Sequence, residues 1–550
     1  MLGAPKGQWK AVRRIALYSW VTSLFLGASP FAFSATCAQL TQLSVPHVTV
    51  ASAEVLHTLA IPGQPSMELP EFCRVLATAS PVLGSQIGIE VWIPLSGWDG
   101  RFEGTGNGGY SSTINYLAMA EALRRGSAVA GTDTGHTGGD LKFVVGHPKS
   151  IDDWGFRAIH AMTEFAKLVV RDLEDRFPDY SYFNGCSTGG GQALSEAQRF
   201  PEDYDGILAG DPGNDRVNLN TAFLWAYVQD HRVSGQQLTE GKLELLHAAA
   251  LHACDRNDGI ADGVIENPLA CRFDPSTLIC EGNRTEGCLT PAEVQTAKAI
   301  YAGPSHDRKE IYPGFEPGSE VLTGLPIGGW GTYLTGLSEP KRLDFWKYWA
   351  FDDAAWDWHS FDFNHDVSYA NRKLAAVISV DPDLRAFIDR GGKLLLYHGW
   401  ADPVVPPRST IEYVDQVTAL MGEQRTSQAV RLFLVPGMGH CAGGYGPLPA
   451  GNQRTPQSAS PRGDSSSAHR SDALHEPALN PDHDFLGALE RWTEKGVAPK
   501  SVIGSQKLPS GELRTRPICS YPRIAHWTGH GSSDDAANFV CSLPPAEAHR

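Results

Sequence analysis

The pentapeptide Gly185-Cys186-Ser187-Thr188-Gly189 lies between a run with strand character, Tyr180-Ser181-Tyr182-Phe183, and a segment with helical character from Gln192 to Arg199. A serine can occupy so abrupt a strand-to-helix turn only if its neighbours let the backbone bend without a Cβ clash, and glycine on either side does so. The turn projects the hydroxyl of Ser187 out of a sheet edge. Ser187 is therefore the candidate nucleophile, and the rest of the chain has to supply the sheet.

Strand and helix signals alternate on both sides of that turn. Gln86 to Pro94 reads as a strand, Arg101 to Gly109 as a glycine-rich stretch, Tyr116 to Arg125 as a helix and Ala128 to Asp133 as a strand. A long amphipathic helix is expected over Trp154 to Arg176, and strands at Gly206 to Ala209, Lys393 to Tyr397 and Val430 to Val435. Such alternation defines an α/β sheet. The sheet is interrupted between about 214 and 380, a stretch the size of an independent domain that contains Trp330, Trp346, Trp349, Trp356 and Trp358. An insertion there is expected to cover the carboxyl edge of the sheet as a lid. The catalytic domain then comprises residues 35–213 and 381–550, with the lid at 214–380. Residues 446–482, rich in Pro, Ser, Gly and Ala, read as a solvated, mobile loop.

A hydrophobic content of 42% suffices for a large core, and 20% charged residues with 57 glycines exclude a mostly disordered or coiled-coil chain. The formal net charge of −16 and the lack of a Lys/Arg run argue against nucleic acid as a partner. Residues 1–34 read as an export signal: Lys6, Lys10, Arg13 and Arg14 precede the apolar stretch Ile15 to Leu26, and Ala32-Phe33-Ser34 supplies small residues for cleavage. No apolar run downstream is long enough for a membrane span, so the mature protein is expected to be secreted or periplasmic. All ten cysteines follow this segment and none forms a CxxC pair, which favours disulfides over zinc.

A serine needs a base to remove its proton and a carboxylate to orient that base. In a hydrolase sheet both follow the serine along the chain, each just past a strand end. Asp402 lies in Tyr397-His398-Gly399-Trp400-Ala401-Asp402-Pro403, and His440 in Pro436-Gly437-Met438-Gly439-His440-Cys441. Asp211, after the strand at 206–209, competes for the acid role. His398 shares a strand end with Asp402, and His136 precedes the serine, so His440 is the preferred base. Cys186 immediately precedes the nucleophile and Cys441 immediately follows the base, so a bond between them would pin the two together.

These residues resemble the tannase and feruloyl esterase family of secreted α/β-hydrolases, which includes mono(2-hydroxyethyl) terephthalate hydrolase. The resemblance rests on Cys186-Ser187, Asp402-Pro403 and His440-Cys441, with Gly106-Asn107-Gly108-Gly109 and Arg514-Thr515-Arg516-Pro517-Ile518-Cys519 in support, and it runs from about Cys37 to Cys541. It implies a serine carboxylesterase acting on small aromatic esters of feruloyl, galloyl or chlorogenate type, with terephthalate monoesters as an alternative. Asp255 to Val264 carries three carboxylates on a glycine-bent loop suited to a hard cation. By resemblance, Asp255, Asp258 and Asp262 give carboxylates and Ile260 and Val264 give carbonyls to a structural Ca2+ in the lid. Cys254 with Cys271 would clip this loop, Cys280 with Cys288 the next one, and Cys519 with Cys541 and Cys37 with Cys73 would complete five bonds.

One competing pattern comes from another function class. Gly104-Thr105-Gly106-Asn107-Gly108-Gly109 satisfies Gly-x-Gly-x-x-Gly, with Asp133 at the end of the next strand, the outline of a dinucleotide-dependent oxidoreductase. The same glycines would equally serve an oxyanion hole, for which the amides of Thr188 and Gly108 are the expected donors.

Overall fold

Nine strands build the central sheet of the computed structural model, which describes residues 35–61, 66–282, 284, 286–322, 325, 327–453 and 479–544. They are β1 (Val48–Leu59), β2 (Met67–Ala79), β3 (Ile87–Pro94), β4 (Arg101–Thr105), β5 (Ala128–Thr132), β6 (Tyr180–Cys186), β7 (Gly206–Gly210), β8 (Lys393–Gly399) and β9 (Val430–Val435). Their order across the sheet is β1-β2-β3-β5-β4-β6-β7-β8-β9. The pairs β1/β2, β2/β3 and β3/β5 are antiparallel, and every later pair is parallel. This is an α/β-hydrolase sheet with an additional antiparallel edge strand.

The parallel strands are almost wholly buried, β5 and β7 at every position, because helices cover both faces. Helix α1 (Tyr116–Arg124) packs Met119 and Leu123 against Phe72 and Trp92. Helix α2 (Ala158–Glu174) and helix α3 (Thr188–Arg199) bury Phe165, Val169 and Leu194 with Ile89, Val91 and Phe183. On the face that α1 covers, opposite α2 and α3, helix Phe485–Lys495 packs Leu489 and Trp492 against Tyr182, Leu208 and Leu395. The helix expected over Trp154 to Arg176 is composite: a π-helical turn at Asp153–Arg157 leads into α2, which closes at the left-handed Asp175.

Residues 214–380 contribute α4 (Arg216–Asp230), α5 (Glu240–Cys254), α6 (Pro291–Ala302) and α7 (His365–Ile378). Leu243, Leu246, Val294, Ile300 and Trp330 form one apolar cluster there. A second cluster joins Trp346, Trp349 and Leu374 to Tyr110 and Trp154, so part of this segment shares its core with residues that precede it. The aromatic residues gathered here therefore fill space rather than face solvent. A C-terminal hairpin, β10 (Ser501–Lys507) with β11 (Leu513–Cys519), closes the architecture.

All five expected disulfides form: Cys37–Cys73, Cys186–Cys441, Cys254–Cys271, Cys280–Cys288 and Cys519–Cys541. The expected export segment, 1–34, lies outside the described residues, as do residues 454–478 of the stretch read as a mobile loop. Its described N-terminal flank departs from that reading. Leu448 is buried and exchanges two backbone hydrogen bonds with Ser505 of β10, so residues 446–453 pack against the hairpin. No helix among the described residues is long and apolar enough to cross a membrane.

Candidate active site

Ser187 joins β6 to α3 with φ 63° and ψ −118°, a backbone conformation that costs a non-glycine residue roughly 1–3 kcal/mol. The surrounding backbone enforces it. Ser187 N–H donates to Gly210 O on β7 at 2.9 Å, and Gly189 N–H donates to Asn107 O at 2.8 Å. A Cβ at residue 185 would fall 2.4 Å from Gly189 O, which is why glycine is needed before the turn.

Asp402, His440 and Asp211 lie past the carboxyl ends of β8, β9 and β7, on the edge where β6 delivers Ser187. The sheet brings two of them to the serine in sequence. His440 Nε2 is 2.7 Å from Ser187 Oγ, and His440 Nδ1 is 2.7 Å from Asp402 Oδ2. The Cys186–Cys441 bond, with Cα atoms 5.9 Å apart, fastens the residue before Ser187 to the residue after His440. Asp402 is fully buried, and its Oδ1 accepts the amides of Val404 at 2.7 Å and Val405 at 3.1 Å. Burial disfavours its charged form, but the imidazoles of His440 and His398 outweigh burial and hold the carboxyl well below the usual carboxylate range.

The competing residues have other partners. Asp211 accepts Gly399 N–H at 3.0 Å and reaches His398 Nε2 at 3.6 Å, whereas among the described residues Asp402 alone pairs with His440. Burial pushes the Asp211 carboxyl up to about 7, and the negative charge of Asp402 adds to the shift. His398 is also fully buried, with Nδ1 2.8 Å from Thr410 Oγ1 and Nε2 2.8 Å from Val405 O and 3.2 Å from Asp402 Oδ2. It braces Asp402 through Oδ2, the carboxylate oxygen that does not accept the Val404 and Val405 amides. His136 stacks on Phe143 with Nε2 2.9 Å from Tyr110 O, and touches none of the three.

Thr188 is the first residue of α3, where an amide has no intrahelical acceptor. The glycine-rich loop is stitched beside it: Thr188 Oγ1 donates to Gly109 O at 2.6 Å. The amides of Thr188 and Gly108 have no acceptor among the described residues, and the space over the Gly108 Cα is open. That geometry corrects the dinucleotide reading of residues 104–109. The fingerprint needs its glycines to open a helix, but α1 begins only at Tyr116 and Gly106 packs against the Ser187 turn, where a Cβ would lie 2.5 Å from Gly189 Cα. Asp133 is engaged as well, accepting the amides of Gly88 and Gly135 at 2.8 Å each.

The Asp255–Val264 loop bends at Gly259 and Gly263, both with positive φ. Asp255 Oδ1 accepts the amides of Asp262, Gly263 and Val264, Asp258 Oδ1 accepts that of Ile260, and Asp262 Oδ2 pairs with Arg516 at 2.5 Å. The three carboxylates thus do not meet as one cluster of ligand atoms among the described residues. Burial pushes the Asp258 carboxyl up to about 6, with the neighbouring Asp262 and Asp255 adding to the shift. Two residues around the Ser187 turn and Tyr110 escaped sequence reasoning. Arg216 at the start of α4 donates to Thr188 Oγ1, and Arg342 lies over the Tyr110 ring; an isolated arginine offers no local signal for either contact.

The family model described as "Tannase and feruloyl esterase" matches residues 73–542. An uncharacterized esterase of Xanthomonas campestris pv. campestris is 39% identical over 560 residues, covering 94% of this chain and 92% of that protein. A Neosartorya fischeri protein described as "Probable feruloyl esterase B-1" is 32% identical over 485 residues, covering 86% and 87%. The crystal structure of feruloyl esterase B from Aspergillus oryzae matches with a TM-score of 0.80 at 28% identity, covering 91% and 98%.

Proposed function

The chain belongs to the tannase and feruloyl esterase family and is a carboxylic ester hydrolase, and from that premise we propose that it cleaves esters of aromatic acids through an acyl-enzyme on Ser187. The observation that carries this reading is the unbroken contact from Ser187 Oγ through the His440 ring to Asp402. With its proton on Nδ1 donated to Asp402, His440 accepts the Ser187 proton at Nε2 as Oγ bonds to the ester carbonyl carbon. The amides of Thr188 and Gly108 receive the charge that develops on the carbonyl oxygen. Collapse breaks the bond to the leaving alcohol, which takes the proton from His440. Water, deprotonated in turn by His440, then attacks the acyl carbon and frees Ser187.

Aromatic acyl groups of the feruloyl, galloyl or chlorogenate type are the proposed substrate class; the relatives are described as feruloyl esterases and the family as tannase and feruloyl esterase. A hydrolysis panel of methyl ferulate, methyl gallate and chlorogenate, with Ser187→Ala as control, tests it. Turnover of at least one is expected, and aliphatic esters cleaved faster than all three would contradict the assignment. Five disulfides support an oxidising compartment and hence export.

The Cys186–Cys441 link spans 255 residues, and the chain-entropy model puts closure of such a loop at about 5 kcal/mol as an upper value. The double variant Cys186→Ala, Cys441→Ala is therefore expected to melt several degrees lower and to lose turnover as His440 drifts from Ser187. Unchanged melting and kcat would show that the bond has no such role.

Calcium at Asp255, Asp258 and Asp262, with the carbonyls of Ile260 and Val264, is proposed as a structural cofactor. The donor set is all oxygen, on a loop bent by Gly259 and Gly263, which suits a hard cation. At a calcium concentration near 100 times its Kd, linkage contributes about 2.7 kcal/mol, so chelation with EGTA should lower Tm by about 2–5 °C, reversibly on adding calcium. A melting curve indifferent to both, with no metal by elemental analysis, would reject the site.

A further inference from the structure

Glu196, on the helix that follows Ser187, is 1% exposed, and neither of its side-chain oxygens has a hydrogen-bond partner among the described residues. Lys167 and Arg199 act on it from a distance but donate elsewhere: Lys167 Nζ to the Asp203 carbonyl oxygen, and Arg199 Nη2 to Ala376 O at 2.7 Å. A fully buried carboxylate without a donor is strongly unfavourable. What faces Glu196 is a second carboxylate, Asp203 in the turn before β7, together with the ring of His160 on α2. One possible ligand atom from each of the three lies within 4.8 Å of the other two, and His160 Nδ1 is 2.7 Å from Asp203 Oδ2.

Either a proton or a cation can reconcile two facing carboxylates. A shared proton needs only the two acids, whereas one imidazole with two carboxylates is a ligand set of zinc-class ions. The ring is set for ligation. It stacks on Phe200 with centroids 3.8 Å apart and planes at 6°, and its other nitrogen, Nε2, lies 3.4 Å from Glu164 Oε2. A carboxylate behind the imidazole is the arrangement that fixes the tautomer of a metal-bound histidine. Tetrahedral zinc ligands, each about 2.0–2.1 Å from the ion, lie about 3.4 Å from one another, inside the span of these three atoms. The turn that carries Asp203 is itself held, its amide donating to Phe200 O at 2.9 Å and the neighbouring Tyr204 hydroxyl bonding to Thr163 Oγ1 of α2. The His160 side chain is 27% exposed and that of Asp203 11%, which leaves an ion an entry and water a fourth position.

We propose that His160, Glu196 and Asp203 bind a divalent transition-metal ion of the zinc class, with water as fourth ligand, which clamps α2 and the turn before β7 to α3. Glu196 lies nine residues past Ser187, about 13–14 Å along the helix axis, so the ion takes no part in bond breaking. Its role is to hold the helix on which the Ser187 turn is mounted. The site is distinct from the Asp255–Val264 loop, whose donors are all oxygen, and it stands or falls independently of which residue is the nucleophile.

The test titrates the full chain with Zn2+, after EDTA treatment and return to a calcium-containing buffer that supplies the oxygen-lined loop. One equivalent of Zn2+ is expected to bind and, at about 100 times its Kd, to raise Tm by about 2–3 °C. Co2+ in its place should show the visible absorption of a four-coordinate ion. His160→Ala, at a partly exposed position, should lose both the bound equivalent and the rise in Tm. So should Glu196→Gln, whose amide resembles the protonated acid and therefore spares the fold; Asp203→Asn replaces either variant that does not fold. Wild type that binds no Zn2+ would overturn the site and leave the two carboxylates sharing a proton. Binding that persists undiminished in either folded variant would place the ion on other residues and overturn it equally.

Discussion

Ser187→Ala is expected to lower kcat by about 10⁴- to 10⁶-fold, the range seen when a triad nucleophile is removed and only the oxyanion donors and binding remain. KM and Tm should change little. The variant keeps its Cβ, so the positive-φ turn is no more and no less strained than before, and the Ser187 amide still donates to Gly210 O. The hydroxyl that is lost makes one hydrogen bond, to His440 Nε2, in a partly exposed position where water can replace it. A large loss of kcat without a loss of fold separates chemistry from structure. A variant within tenfold of wild type would place the nucleophile elsewhere.

Asp402→Asn comes next in size, an expected loss of about 10⁴-fold in kcat. The reason lies in what surrounds the carboxylate. Oδ1 accepts two amides, Val404 and Val405, so the carboxamide oxygen of an asparagine has to take that position. Its NH2 then faces His440 Nδ1, which must become an acceptor. The ring proton moves to Nε2, and an Nε2 that already carries a proton cannot take one from Ser187. Asp211→Asn is the matching control: its bond from Gly399 N–H survives as a bond to the amide oxygen, and it does not pair with His440, so a loss of less than tenfold is expected. Equal losses in the two variants would return Asp211 to contention as the acid.

Much of this site is legible in the sequence because its parts are local. The Ser187 turn is written in flanking glycines, and Asp402 and His440 each follow a short apolar strand in an order that a hydrolase sheet prescribes. What the sequence hides is tertiary. Strand β4 carries Arg101 and Glu103, charges that suggest a loop, yet Arg101 pairs with Glu494 and Glu103 with Arg125 inside the fold. Strands β1 and β2 form a long hairpin at the sheet edge, where register shifts between Val50 and Ser52 and between Leu56 and Thr58 break the period-two pattern of β1. Arg216 and Arg342 are far apart in the chain, and only the fold brings them to one tyrosine. The Pro- and Ser-rich composition after residue 446 likewise conceals the pairing of Leu448 with Ser505.

Covalent capture tests the central claim most directly. Incubated with an organophosphonate that phosphonylates activated serines, the intact enzyme should gain the mass of one adduct, with activity lost in proportion. Peptide mapping should place that adduct on Ser187, and Ser187→Ala should stay unmodified. A stoichiometric adduct on any other residue, or full activity retained with Ser187 modified, would contradict the account.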